Sequence, residues 1–191
     1  MFDRIALAYD ILMYPFEKAI LGKWREKIWK EVKGKRVLEV GVGTGANFPF
    51  YPKNMLIIGI DKSRNMILKA KDRGNHIIIL ADAQTLPFKD GTFDSVISTL
   101  VFCSVPDPHL GLREINRVLK KGGMLYMLEH VRPEDWKGEI FDIINPLTVF
   151  LFGENINRIL EMEIQKTGFE ILRIEKITSD GLLKYFVAWK I

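Results

Sequence analysis

One cysteine and three histidines are all that this chain offers to a disulfide or a metal site. Cys103 has no second thiol with which to close an internal bridge, so nothing in the fold requires an oxidising compartment. His76, His109 and His130 lack ligand-like spacing, whereas a catalytic metal draws about three protein ligands into one pocket, and no metal is expected. Long hydrophobic runs are missing as well. The longest, Ile143 to Phe152, is interrupted by Asn145, Pro146 and Thr148 and is about half of the ~20 residues that cross a bilayer. No basic-then-apolar leader is legible at the start, and a cytoplasmic address is the expectation. With 191 residues, 48% of them apolar, the chain suits a single domain with one real core.

Net positive charge is missing outside one end. Residues 1–36 hold nine Lys and Arg against five Asp and Glu, while the remaining 155 hold nineteen of each, so the whole net charge of +4 lies at the N-terminus. There Phe16, Ile20, Leu21, Trp24 and Ile28 recur at helical spacing with Lys18, Lys23, Arg25, Lys27 and Lys30 around them, the pattern of a basic amphipathic helix. Such a helix can lie peripherally on an anionic membrane surface, or it can pack its stripe on the domain and leave the lysines in water. No basic patch interleaved with aromatics recurs further along, so no nucleic acid partner is expected.

Apolar strands alternate with helical segments, which argues for an α/β fold: a mostly parallel sheet with helices on both faces. The strand candidates are Arg36 to Val40, Leu56 to Ile60, His76 to Ala81, Phe93 to Thr99 and Met124 to His130. Ser63 can cap a helix to about Arg73, and Asp107 followed by Pro108 opens one that ends at Lys120, Lys121 and Gly122. Beyond Val131 an irregular apolar segment runs to Phe152, a helix covers about Asn155 to Thr167, and Phe169 to Ile177 and Leu183 to Lys190 form an antiparallel finish through Asp180-Gly181. That makes seven strands with an antiparallel last one.

The chemistry gathers at strand ends. Val37 to Val40 feed Gly41, Gly43 and Gly45, and glycines at every second position let a backbone press against a bound ligand that a Cβ would push away. Glu39 stands two residues before the first glycine, and Asp61 ends the second strand twenty residues after it, where a carboxylate can accept both hydroxyls of a ribose. Gly41, Gly43 and Ala46 also satisfy a dinucleotide-binding spacing, so the loop alone fits NAD as well as an adenosyl cofactor. The third strand, ending in Ala81-Asp82-Ala83, favours the latter, because its acid can accept from an adenine amino group while the Ala83 amide donates to the ring.

These residues resemble the class I S-adenosylmethionine-dependent methyltransferases, in particular the UbiE-like and phospholipid N-methyltransferase branch. The resemblance rests on Phe2-Asp3, Ala8-Tyr9-Asp10, the glycine loop, Asp61, Ala81 to Asp94, Thr99 to Asp107, Glu114 to Gly123 and Leu128 to Val131. Phe102 to Val105, Glu129-His130-Val131 and Asn157-Arg158 lean toward the phospholipid or small-hydrophobe side, and Lys121 departs from the family's usual proline before the paired glycines. The resemblance implies a Rossmann-like sheet and S-adenosyl-L-methionine as cofactor. It implies that Glu39 and the backbone near Thr99 hold the methionine ammonium, and that Gly41, Gly43 and Gly45 let the methionine part approach. Asp61 with the adjacent Lys62 would serve the ribose, and Asp82 with Ala83 the adenine. Tyr9 would close over the bound cofactor.

Methyl transfer needs alignment and exclusion of water more than acid or base. His130 and Glu129, at the end of the fifth strand on the expected acceptor side, are the residues that can take a proton from an amine or hydroxyl acceptor. Residues 1–191 read as one methyltransferase domain, with 1–34 an N-terminal helical cap and 132–158 a lid on the acceptor side. The apolar run Phe141 to Phe152 inside that lid points to a hydrophobic acceptor such as a phospholipid amine or a quinone precursor. Two rivals stand beside this reading: a nicotinamide-dependent oxidoreductase and a non-catalytic module that binds the adenosyl cofactor.

Overall fold

Strands buried on both faces make the centre of the molecule, as near-continuous Val, Leu and Ile runs require. The structure, a computed structural model, describes residues 21–153 and 155–191. α1 (Gly22–Glu31) leads into β1 (Arg36–Val40), followed by a 3-10 turn (Phe48–Phe50), β2 (Leu56–Asp61), α2 (Arg64–Arg73) and β3 (Ile77–Leu80). β4 (Phe93–Thr99), α3 (Pro108–Val118), β5 (Leu119–His130), α4 (Lys137–Phe152), α5 (Leu160–Lys166), β6 (Phe169–Lys176) and β7 (Leu183–Lys190) complete the chain. The strands form one seven-stranded sheet in the order β3-β2-β1-β4-β5-β7-β6. β1 lies parallel to β2 and β4, β2 to β3 and β4 to β5, and only β7 runs antiparallel to its neighbours. The α/β sheet expected from the sequence is the one observed.

Alternate side chains of the central strands feed two cores. Val37 and Ile97 face Leu21, Ile28 and Trp29 around α1, while Leu38, Val40 and Val96 face Leu112, Ile115 and Val118 of α3 and Leu160 and Ile164 of α5. Each such side chain, fully buried, is worth about 1.5–3 kcal/mol of transfer free energy, so these two layers dominate the driving force. α2 and α3 start where the sequence placed their caps: Ser63 Oγ accepts from the Met66 amide at 3.2 Å and Asp107 from the Leu110 amide at 3.1 Å. The sheet order reverses between β1 and β4, and the crevice outside the carboxyl ends of those strands is where an open α/β sheet binds ligands.

Three boundaries differ from the sequence reading. The third helix stops at Val118 rather than near Lys120, because Leu119 turns extended to pair with Phe93 and starts β5 before the Met124 that the apolar run suggested. The segment read as irregular to Phe152 contains the sixteen-residue α4, which continues through Pro146. The next helix is shorter than Asn155 to Thr167, since the Asn155 amide donates to Cys103 O at 2.7 Å and the Ile156 amide to Asn145 Oδ1 at 2.8 Å, tertiary partners that leave the helix to begin at Leu160. The proposed N-terminal cap is described only from Leu21, so Phe16, Lys18 and Ile20 lie outside the described residues. Its described part packs on the sheet through Leu21, Ile28 and Trp29, and Arg25, expected among the solvent-facing basic residues, is buried.

Candidate functional site

The glycine loop leaves β1 in the left-handed region, with φ of +73° at Gly41 and +55° at Gly43. Gly41 has a further reason to lack a Cβ: its position would be occupied by the methyls of Val101. At Gly43 the same construction meets nothing within 4 Å, so the loop opens there onto free space. Gly45 seats the Phe48 ring. The loop is held by Asp61, whose Oδ2 accepts from the Gly43 amide and whose Oδ1 accepts from the Ser63 amide, both at 2.8 Å. Lys62 Nζ donates to Asp82 Oδ2 at 2.6 Å, and the Gln84 amide donates to Asp82 Oδ1 at 2.9 Å. Partial burial pushes the Asp82 carboxyl up, but those bonds from Lys62 and Gln84 hold it below the usual carboxylate value. Ala83 follows, buried.

Beneath the loop lies a polar knot. Glu39 is 1% exposed, and it accepts from Asn47 Nδ2 at 2.7 Å and from the Tyr51 hydroxyl. Asn47 Nδ2 also donates to Thr99 Oγ1 at 3.0 Å, and Arg25 Nη1 from α1 donates to Asn47 Oδ1 at 2.9 Å and Thr99 Oγ1 at 3.0 Å. Burial pushes the Glu39 carboxyl up to about 7, against the opposing pull of Tyr51, Asn47 and Arg25. The knot thereby fastens α1, the glycine loop and the end of β4 to one acid. Arg25, Asn47 and Tyr51 were not singled out in the sequence. Asn47 carried a readable signal, since it extends the every-second-residue series of Gly41, Gly43 and Gly45, whereas nothing local marks Arg25 or Tyr51.

β4 ends in a strained step. Leu100 has φ +58°, a conformation that costs a non-glycine residue roughly 1–2 kcal/mol, and its amide donates to Leu128 O at 2.8 Å. Glu129, fully buried on β5, accepts from Ser98 Oγ at 2.5 Å and from the amides of Val101 at 2.9 Å and Phe102 at 3.0 Å. Burial pushes its carboxyl up to about 7, the three donors opposing. The sequence reading placed Glu129 beside the acceptor, and the structure instead turns its carboxylate into the chain that follows β4. His130, next along, stacks on Phe141 of α4 with ring centroids 5.9 Å apart, and its Nδ1 is buried without a partner among the described residues. Burial pushes its imidazole below the usual histidine value, while Asp180 pulls the other way. Tyr9 lies outside the described residues.

α4 roofs this end. Arg132 Nη2 donates to Asp142 Oδ2 at 2.9 Å and Asn157 Nδ2 to Asp142 Oδ1 at 3.0 Å, which ties the helix to the end of β5 and to the turn behind it. Its outer stripe is apolar: Ile143 and Phe150 are each 78% exposed, and Ile140, Ile144 and Leu147 continue the same face. From Ile143 to Gly153 there is no ionisable side chain.

Fold and site together define a class: an α/β domain whose strand-end acids suit a cationic adenosyl ligand. S-adenosylmethionine carries an ammonium, a sulfonium, ribose hydroxyls and an adenine amino group, and acids near the ends of β1 and β2 and just beyond β3 (Glu39, Asp61 and Asp82) are of a chemistry that suits them. Comparison with known proteins agrees. Residues 38–127 match the family model described as "Methyltransferase domain". Human thiol S-methyltransferase TMT1A is 34% identical over 152 residues, covering 74% of this chain and 62% of that protein. Phosphatidylethanolamine N-methyltransferase of Cereibacter sphaeroides is 36% identical over 105 residues (51% and 52%). The ubiquinone/menaquinone biosynthesis C-methyltransferase UbiE of Geotalea uraniireducens is 33% identical over 147 residues (70% and 63%). The chain thus spans between half and two thirds of the length of these relatives. Among solved structures, a S-adenosylmethionine-dependent methyltransferase of Thermotoga maritima superposes with TM-score 0.79 at 25% identity, covering 100% of this chain and 98% of that one. Residues 38–127 thus carry a class I S-adenosylmethionine-dependent methyltransferase domain, similar to those of UbiE and phosphatidylethanolamine N-methyltransferase. The nicotinamide alternative falls with that assignment.

Proposed function

We propose that this protein transfers a methyl group from S-adenosylmethionine to a small hydrophobic acceptor, a phospholipid amine or a quinone precursor. The observation that carries the acceptor class is the uncharged, exposed aliphatic face of α4, fastened over the end of β5 by the stacking of Phe141 on His130. A polar acceptor would have no use for such a wall, and exposed apolar patches of this kind mark binding surfaces.

The cofactor supplies a methyl carbon activated by positive sulfur, so that an acceptor lone pair forms the new bond as the carbon–sulfur pair returns to sulfur. The chain's own part is binding and placement. Glu39 and the backbone near Thr99 hold the ammonium, Asp61 with Lys62 serves the ribose, and Asp82 with Ala83 serves the adenine. Gly41, Gly43 and Gly45 allow the close approach. Charge-assisted bonds of this type are roughly twice as strong as neutral ones. His130, neutral because burial lowers its proton affinity, takes the proton that an amine or hydroxyl acceptor sheds; its Nδ1 has no hydrogen-bond partner among the described residues. Tyr9 closes over the cofactor, and residues 132–158 cover the acceptor.

The protein acts in the cytoplasm at the surface of a membrane, with α4 as the lipid-facing element. The described part of the N-terminal helix turns its apolar residues Ile28 and Trp29 into the core. A radiolabelled methyl-transfer assay against lipid, quinone-precursor, thiol and protein extracts tests the reading. Label in an organic-soluble product supports it, and label confined to protein or polar metabolites overturns it. Asp61→Ala should weaken S-adenosylhomocysteine binding by about 1–3 kcal/mol in calorimetry, and unchanged affinity removes Asp61 from the site.

A further inference from the structure

We propose that Glu129 is a positioning residue, a strut on β5 that sets the height of the residues following β4 and, through Val101, the stance of the glycine loop. The proposal rests on the reading that this loop holds the adenosyl cofactor.

The geometry runs in one line across the sheet. Leu128 and Thr99 face each other in the β4–β5 register, which puts Glu129 beside the point where the chain leaves β4. There Leu100 adopts its left-handed turn, and the chain is gripped on both sides of it. On one side the Leu100 amide donates to Leu128 O, and on the other the next two amides converge on Glu129 Oε2 while Ser98 Oγ reaches Oε1. Two successive amides aimed at one carboxylate oxygen form an anion-binding concavity in the backbone. Val101, held by the first of those amides, presses its methyls into the place where Gly41 lacks a Cβ. Phe102, held by the second, is fully buried in the core that α3 and α5 share.

Packing alone does not call for a carboxylate here. A buried acid is costly unless bonded, and an apolar side chain would fill the same volume at lower cost. What an acid adds is three directed acceptor bonds, and here they fix the backbone amides of Val101 and Phe102 and the hydroxyl of Ser98. This also explains why two adjacent residues divide the work: Glu129 is consumed by the loop, while His130 keeps a nitrogen unpartnered among the described residues.

The experiment compares Glu129→Ala with Glu129→Gln. The amide of Gln keeps an oxygen for the two backbone donors and can turn its NH2 toward Ser98 Oγ, so the loop stays in place, whereas Ala leaves three donors unpaired. In folded protein without ligand, hydrogen exchange at Val101 and Phe102 should quicken by about a hundredfold in Glu129→Ala and by less than about threefold in Glu129→Gln. Calorimetric titration with S-adenosylhomocysteine should show about a tenfold loss of affinity for Ala, and Gln within about threefold of the parent. Unchanged exchange in Glu129→Ala overturns the proposal, as does quickened exchange with undiminished affinity. Equal loss of methyl transfer in both variants, with exchange and affinity as in the parent, makes Glu129 a proton acceptor and overturns it too. Should Glu129→Ala not fold, Val101→Ala carries the test, because it removes the methyl contact with Gly41 and leaves the carboxylate bonded. About a fivefold loss of affinity is then required, and no change is fatal. A parent protein that does not bind S-adenosylhomocysteine sinks the cofactor reading instead, and the exchange measurement, made without ligand, still decides whether the strut holds.

Discussion

Around the glycine loop the polar side chains are tied to one another and to the backbone: Asp61 to Gly43 and Ser63, Glu39 to Asn47 and Tyr51, Arg25 to Asn47 and Thr99. Across the crevice α4 presents Ile143 and Phe150 to solvent, and His130 Nδ1 has no partner among the described residues. The first region is preorganised, so the groups that would meet a charged ligand already stand in place and little is lost in ordering them. The second is apolar and sparsely bonded, as suits contact with a variable hydrophobic molecule.

The sharpest way to break the contrast is Gly41→Ala. A Cβ at φ +73° is strained, and here it also collides with Val101. Strain of this kind costs on the order of 1–3 kcal/mol and overpacking a similar amount, so thermal unfolding should show a loss of about 3 kcal/mol or more. A stable Gly41→Ala protein with normal S-adenosylhomocysteine affinity would mean that the donor end is not rigid.

Acidity offers the next largest effect. Glu39 and Glu129 are both pushed up to about 7 in the fold by burial, from an ordinary value of 4.5. Between those limits the folded state holds more protons than the unfolded one, so the contribution is fully present below pH 4.5 and is lost as pH rises through 7. At full extent it amounts to on the order of 3 kcal/mol for each acid. Denaturant melts between pH 5 and 7.5 should show stability falling, and Glu39→Gln should flatten the slope. A rising curve unaffected by that substitution contradicts the buried-acid account. His130→Ala comes third. It should lower turnover by about a hundredfold while leaving S-adenosylhomocysteine affinity alone, and undiminished turnover returns His130 to a structural role.

How much of this was legible in the sequence follows the same division. The sheet, its antiparallel finish and the caps at Ser63 and Asp107 were readable because strand runs and capping residues act over a few positions. The acids at the strand tips were readable for the same reason. Arg25 was not, since it comes to Thr99 from 74 residues away and its neighbours Lys23 and Lys27 made it look solvated. Glu129 was visible as a strand-end acid, but which way its carboxylate turns depends on amides 27 and 28 residues distant. Pro146 was taken to break a segment that is helical through it, and Asn155 and Ile156 were taken into a helix when their amides serve Cys103 and Asn145. In each miss but that at Pro146, a partner distant in sequence outweighed the local preference.

The smallest effect on stability is the most telling about the acceptor. Ile143 is 78% exposed, so Ile143→Glu removes little buried area and should change stability by no more than about 0.5 kcal/mol. S-adenosylhomocysteine affinity should be equally indifferent, because the donor end lies across the crevice. Association with lipid is another matter. A carboxylate placed in the middle of an uncharged stripe must be desolvated before that face can enter hydrocarbon, and anionic headgroups repel it as well. Sedimentation with vesicles should therefore show Ile143→Glu remaining in solution where the parent pellets, and raising salt should restore only the part of the loss that came from charge repulsion. If parent and variant pellet alike, α4 is not the lipid-facing element, and the apolar acceptor loses its main support even though the donor half of the site stands.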